Sequence, residues 1–335
     1  MDVSLPRAPS ERGLQFDESA AVRPSELPVT HRRAVALMVL VTLLWSIAGV
    51  VTRHLDSARS FEVTFWRSAF NGLALAAALL VARGAALCRD VRRAAWPVWV
   101  SGVCWSVMFT AFMVAITLTT VANVLITMSI APLLTALLAR VVLGHRLPPR
   151  TWLAIAAAGA GIAWMFGQEA VASQRDAVVG TLVALGVPLA AAINWTVLQH
   201  TGNVARAAAP SVTPRDDMLI AVLIGAVISA LTTLPAALPF HATAHDLGWL
   251  AVLGAVQLAL PCLIAVRVSR ELAAPEIALL ALLEVVFGVA WAWAGANEAP
   301  SSSALSGGLL VLVALVSNEV LGMWRGRVAG MRATR

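Results

Sequence analysis

The chain has 335 residues, of which 59% are apolar and only 13% charged, whereas soluble domains carry about 45–50% and about 25%. So little charge cannot cover a soluble protein of this size, and the apolar residues fall in runs of about 20, the length that crosses a hydrocarbon core. A soluble enzyme is excluded, and an all-α, polytopic integral membrane protein is implied. The net charge of +6 does not point to nucleic acid, because all 24 basic residues are Arg and lie between apolar runs rather than in one patch.

In chain order, residues 1–33 form a polar tail with Pro6, Pro24 and Pro28 and mixed charges, expected to be disordered and cytoplasmic rather than a cleaved signal peptide. Apolar runs then predict ten spans, near 34–52, 61–82, 96–117, 119–142, 152–167, 178–198, 218–239, 247–266, 273–295 and 304–324. Residues 96–143 are too long for one span, and Thr117, Thr119 and Thr120 are placed at a tight hairpin that splits them. A short basic tail, 325–335, closes the chain. Ten spans of about 20 residues use roughly 200 positions, which leaves short loops and no room for a separate catalytic domain.

Arg placement tests this count. With the N-terminus inside, the inner segments hold 19 Arg and the outer loops only Arg53, Arg59 and Arg175, while Arg67 and Arg140 lie within spans. Loss of one span would invert every later loop and scramble the bias, so both termini are expected in the cytoplasm. Shifting the chain by 153 positions lays Ile130 through Pro148 on Leu283 through Ser301, each an apolar helix ending in a polar turn with Pro. Five spans per half is an odd number, so halves 34–167 and 178–324 should be inverted repeats, with a substrate site near midplane between them.

Several residues fall where a membrane makes polarity costly. Glu284 lies at the middle of the ninth predicted span, where a charge costs about 2.5 kcal/mol or more. It reads either as a contact for a substrate amine or a proton-coupling carboxylate, or as a helix–helix hydrogen bond. Arg67 lies roughly 9 Å below the outer end of span two at 1.5 Å per residue. It either snorkels to the interface or, with Asn71 four residues on, forms an inward polar stripe. Asn123, Thr127, Asn194 and Gln257 lie within spans of both halves and offer paired donors and acceptors suited to a zwitterion. Of 12 Trp, those at span ends form an aromatic belt. Trp45, Trp66, Trp105 and Trp195 lie deeper, where they line a cavity or face lipid. Pro132, Pro188 and Pro261 interrupt spans and should kink them. The spacing of Ala157 and Gly161 reads as local helix packing.

No phosphate-binding GxxxxGK[ST] run, nucleophile elbow or metal-spaced cluster is present, and Cys88, Cys104 and Cys262 imply neither disulfide nor zinc. No catalytic residue, cofactor or metal is therefore expected.

The patterns Leu44-Trp45-Ser46, Phe65-Trp66-Arg67, Pro132-Leu133 before Leu143-Gly144-His145-Arg146-Leu147, and Leu282-Leu283-Glu284 before Glu298-Ala299-Pro300 resemble the EamA-type drug/metabolite transporter superfamily. The likeness spans residues 34–324 as two five-helix units. The Trp-rich, Glu284-bearing form is most similar to bacterial aromatic and neutral amino-acid exporters. His145 stands where that family has Glu, and Val285 where it often has Pro. The resemblance implies a multi-pass, monomeric inner-membrane exporter working by alternating access on a small molecule, its partners otherwise being lipids and not nucleic acid. The expected substrate residues are Trp45, Trp66, Arg67, Asn71, Trp105, Asn123, Asn194, Trp195, Gln257 and Glu284. The competing readings are a multidrug or nucleotide-sugar carrier, and a membrane enzyme acting on lipid-linked substrates.

Overall fold

The computed structural model describes residues 31–58, 60–143, 148–171, 175–194, 196–197, 217–268, 280–281 and 283–333. Among them every regular element is a helix. The first are α1 (His31–Ser46), α2 (Ala48–Thr52), α3 (Ser60–Arg83), α4 (Ala86–Arg92) and α5 (Trp96–Leu118). Next come α6 (Val121–Met128), α7 (Ala131–Leu143), α8 (Pro149–Val171) and α9 (Arg175–Ala184). The last are α10 (Asp217–Ala237), α11 (Ala244–Val252), a π-helical segment (Leu253–Ala259), α12 (Leu260–Val268), α13 (Leu283–Ala296) and α14 (Ser302–Ala333). Taken across short breaks, eight helices are long and apolar enough to cross a membrane, and α13 is a shorter apolar helix of 14 residues.

The helix ends follow from local chemistry. α5 starts with Pro97 in its first turn, where the missing N–H has no partner to lose. At the predicted hairpin, Thr120 caps α6 by accepting from the Asn123 N–H at 3.2 Å. Thr243 and Asp246 form a reciprocal capping box at α11. Pro132 follows the break between α6 and α7, because it has no N–H for the Met128 carbonyl four residues back. Pro261 likewise follows the π-helical segment and leaves the Gln257 carbonyl without its usual donor. By contrast Pro235 is accommodated inside the last turn of α10.

Helices from the two ends of the chain interleave. α10 packs on α3 and α5, the π-helical segment lies on α3, α1 touches α12 and α13, and α8 runs along α14. Two of these crossings depend on glycine. A Cβ on Gly225 would lie 2.8 Å from the Gly102 carbonyl oxygen and collide with the Cβ of Trp105. A Cβ on Gly161 would lie 2.7 Å from the Gly307 carbonyl oxygen. Gly161, read from the sequence as local packing with Ala157, therefore serves a long-range contact between α8 and α14. The largest apolar core joins Val63, Met113, Ile116, Leu125, Leu250, Leu253, Val311 and Leu315, and large apolar side chains such as Leu73, Val81, Leu153, Leu231 and Leu309 point outward. An exposed apolar surface of that extent is what lipid contact requires.

Candidate functional site

On α3, Val63, Arg67, Asn71 and Leu75 succeed one another at intervals of four and are all buried. They form one helical stripe facing the bundle. Arg67 is only 2% exposed, so it turns inward and does not snorkel. Its Nε and Nη2 both donate to Gln257 Oε1, at 3.2 and 2.9 Å. Gln257 Nε2 in turn donates to the Trp45 carbonyl at 2.9 Å, and the guanidinium lies 5.5 Å from the centre of the Phe112 ring. Three helices and the π-helical segment thus hold one cation.

Gln257 reaches this place because its segment winds wide and comes very close to α3. A Cβ on Gly254 would meet the Arg67 carbonyl oxygen and the Asn71 nitrogen, each at 2.7 Å. Only glycine permits that approach. π-turns of this kind recur at functional sites.

The polar centre is not self-satisfied. Arg67 Nη1 and both amide atoms of Asn71 have no hydrogen-bond partner among the described residues, although buried polar groups are ordinarily bonded. Cys262 and Glu284 both act electrostatically on Arg67. Glu284 is partly buried near the start of α13. It lies one turn before Gly288, which approaches the Ser46 carbonyl oxygen and abuts Leu125. Among the described residues Glu284 and Arg67 make no direct ion pair.

The other expected residues divide. Trp45 contributes its carbonyl, while its ring packs between two smaller cores built around Leu75 and Met38. Trp66 joins an aromatic cluster with Phe65, Phe70 and Phe240, at 5.0, 5.8 and 5.0 Å. Trp105 leans on Phe109 at 5.5 Å beside the α5–α10 crossing. The indole nitrogens of Trp66 and Trp105 have no partner. Asn123 donates to Thr119 Oγ1 at 3.1 Å, in the turn before α6, and is not joined to Arg67. Asn194 is fully buried with both amide atoms unpartnered, and no contact links it to Arg67. Trp195 and His145 lie outside the described residues.

Two polar arrangements escaped the sequence. Ser68, Thr110 and Ser229 bring three hydroxyls together from α3, α5 and α10, at 2.9 and 3.0 Å. At the end of the bundle that carries Arg53, acidic side chains strap loops together. Glu62 accepts from the backbone of His241 and Ala242, and Asp246 from that of Asp56, Ser57 and Thr243. Arg53 pairs with Glu298 at 2.9 Å and donates to the Thr119 carbonyl, while Glu298 accepts from Val121. The Thr-x-x-Asp spacing at 243–246 is a visible capping signal, but its long-range partners are not. Ligand atoms of Asp56, His245 and Asp246 lie within 4.8 Å of one another. Asp246 already accepts from those loop N–H groups, and the His245 ring is engaged by Asp56 and by the Trp249 indole N–H.

Comparison with known proteins adds a family match over part of the chain and a shared fold. Residues 32–167 match the EamA-like transporter family, almost the span read from sequence as the first five-helix unit. No curated protein matches the chain. A solved structure, described only as the crystal structure of a protein, is similar over 87% of this chain and 98% of its own length. Its TM-score is 0.57 and its identity 22%, so the likeness shows a shared fold. The eight apolar helices, with the family match over residues 32–167, support a multi-pass membrane protein.

Proposed function

We infer that this chain, whose residues 32–167 match the EamA-like transporter family, is a secondary transporter that exports small amphipathic metabolites by alternating access, aromatic or neutral amino acids foremost. The observation that carries this reading is the buried Arg67 guanidinium held by Gln257, with Arg67 Nη1 and the Asn71 amide left unpartnered and Glu284 acting on it electrostatically. A bilayer penalises such charge, and intramembrane ionisable residues mark substrate or ion pathways. The centre draws Arg67 from the first half of the chain and Gln257 and Glu284 from the second. A site between halves is where transporters built of repeats bind.

The helix pairings favour ten spans arranged as two inverted repeats, 34–167 and 178–324. α3 lies on the segment that follows α11, and α5 lies on α10. Numbered as spans, these are two with eight and three with seven, which an inverted pseudo-twofold would interchange. With both termini cytoplasmic, the straps around Arg53, Glu62, Asp246 and Glu298 lie on the outer side. They would then hold that side closed over the centre in a bacterial inner membrane.

In transport, Arg67 offers a fixed cation and Glu284 a titratable anion. The neutral edges of Asn71 and Gln257 orient the ligand, and Trp66 and Trp105 present apolar faces with free indole N–H groups. Replacing Glu284 with Gln keeps the shape and removes the titration. Glu284→Gln protein in proteoliposomes should insert normally but lose its response to a pH gradient and most of its amino-acid flux. Wild-type flux with an unchanged pH profile would reduce Glu284 to a structural residue.

A further inference from the structure

Arg67 and Glu284 face one another electrostatically without pairing. Opposite charges buried in a low-dielectric bundle gain strongly by direct contact, so their separation calls for a physical reason. Arg67 has two of its donors fixed on Gln257, which pins the guanidinium plane and leaves Nη1 pointing to no protein acceptor. Asn71, one turn along the same stripe and fully buried, adds an unpartnered amide. Glu284 is held on a different helix, whose approach to α1 and α6 is set by Gly288 against Ser46 and Leu125.

We propose that this is a split zwitterion site: Arg67 Nη1, with the Asn71 amide, takes the α-carboxylate of an amino acid, and Glu284 takes its α-ammonium. The assignment rests on the transporter reading above and narrows it to ligands carrying both charges on one carbon. Such a ligand would join the two unpaired charges and add no net charge to the membrane interior. It also meets the uncommitted hydrogen-bonding positions of Arg67 and Asn71 together. A carboxylate matches a guanidinium edge in plane, whereas the Gln257 carbonyl oxygen already occupies the Nε–Nη2 side.

The test uses the full chain in lipid nanodiscs and three probes of one skeleton: L-phenylalanine, 2-phenylethylamine, which lacks the carboxylate, and 3-phenylpropionate, which lacks the ammonium. Calorimetric titration of the wild type should show each single-charge analogue binding at least about tenfold more weakly than phenylalanine, as expected for loss of one charged hydrogen-bonding partner. Arg67→Gln should erase the preference over 2-phenylethylamine, and Glu284→Gln the preference over 3-phenylpropionate. Each variant should retain the other discrimination. The wild-type series needs no variant to fold. If either analogue binds as tightly as phenylalanine, the bridge is overturned and the transporter reading stands for a singly charged cargo. If phenylalanine, leucine and alanine all fail to bind, the amino-acid reading falls and the bridge with it.

Discussion

Gln257 is the residue on which the buried cation depends, since its Oε1 accepts both bonds that Arg67 makes to protein. Replacing it with Leu keeps roughly the volume and strands the guanidinium. A charged donor left buried without its acceptor costs about 3 kcal/mol. Gln257→Leu should therefore lower the thermal unfolding midpoint in detergent and abolish substrate binding. Unchanged melting would mean that Arg67 finds another acceptor. The sequence put Arg67, Asn71, Gln257 and Glu284 on the page because polar groups at membrane depth are conspicuous. It could not pair Arg67 with Gln257, which stands 190 positions away, nor choose between an Arg that snorkels and one that turns inward. That choice depends on the neighbours across the interface. Nor could it tell that Asn123 is bonded back to Thr119 in the turn before its own helix, since a buried Asn serves its own turn as readily as a ligand.

Among the elements, the π-helical segment Leu253–Ala259 does the positioning. Pro261 announces an interruption, yet a proline accounts equally for a kink, a break or an inserted residue. The wide turn became definite only with α3 packed against it. Gly254 is its point of closest approach, and an Ala there would press its Cβ to within 2.7 Å of the α3 backbone. Overpacking of this kind costs about 1–3 kcal/mol, and relief requires the segment to shift and carry Gln257 away from Arg67. Gly254→Ala should thus weaken substrate binding by more than its loss of stability explains, while Gly248→Ala, on the open face of α11 with nothing near its Cβ, should be silent. Equal effects of the two substitutions would refute the close-approach argument. The break between α6 and α7 followed the same logic and was legible, because Pro132 lies in the middle of an otherwise continuous apolar run.

For the whole molecule, span positions were the most legible feature. The predicted run 218–239 appears as the apolar helix 219–237, and the predicted 247–266 as 244–265, because burial in lipid imposes length and apolarity on each span independently. The straps at the Arg53 end were not legible. Glu62, Asp246 and Glu298 are acidic residues at helix ends, where capping explains them locally. Only the assembled bundle reveals that they bind partners 177 to 245 positions away. In the proposed function, these straps, the central cation and Glu284 would belong to a carrier with its outer side closed, whose cargo reaches a site between the two halves. Counterflow in proteoliposomes tests that claim most directly. Vesicles loaded with unlabelled phenylalanine and diluted into a trace of labelled phenylalanine should accumulate label transiently above equilibrium when they contain the wild-type chain. Glu284→Gln vesicles should accumulate far less. Label uptake by wild-type vesicles no different from that of protein-free vesicles, for phenylalanine and for the other neutral amino acids alike, would contradict the account.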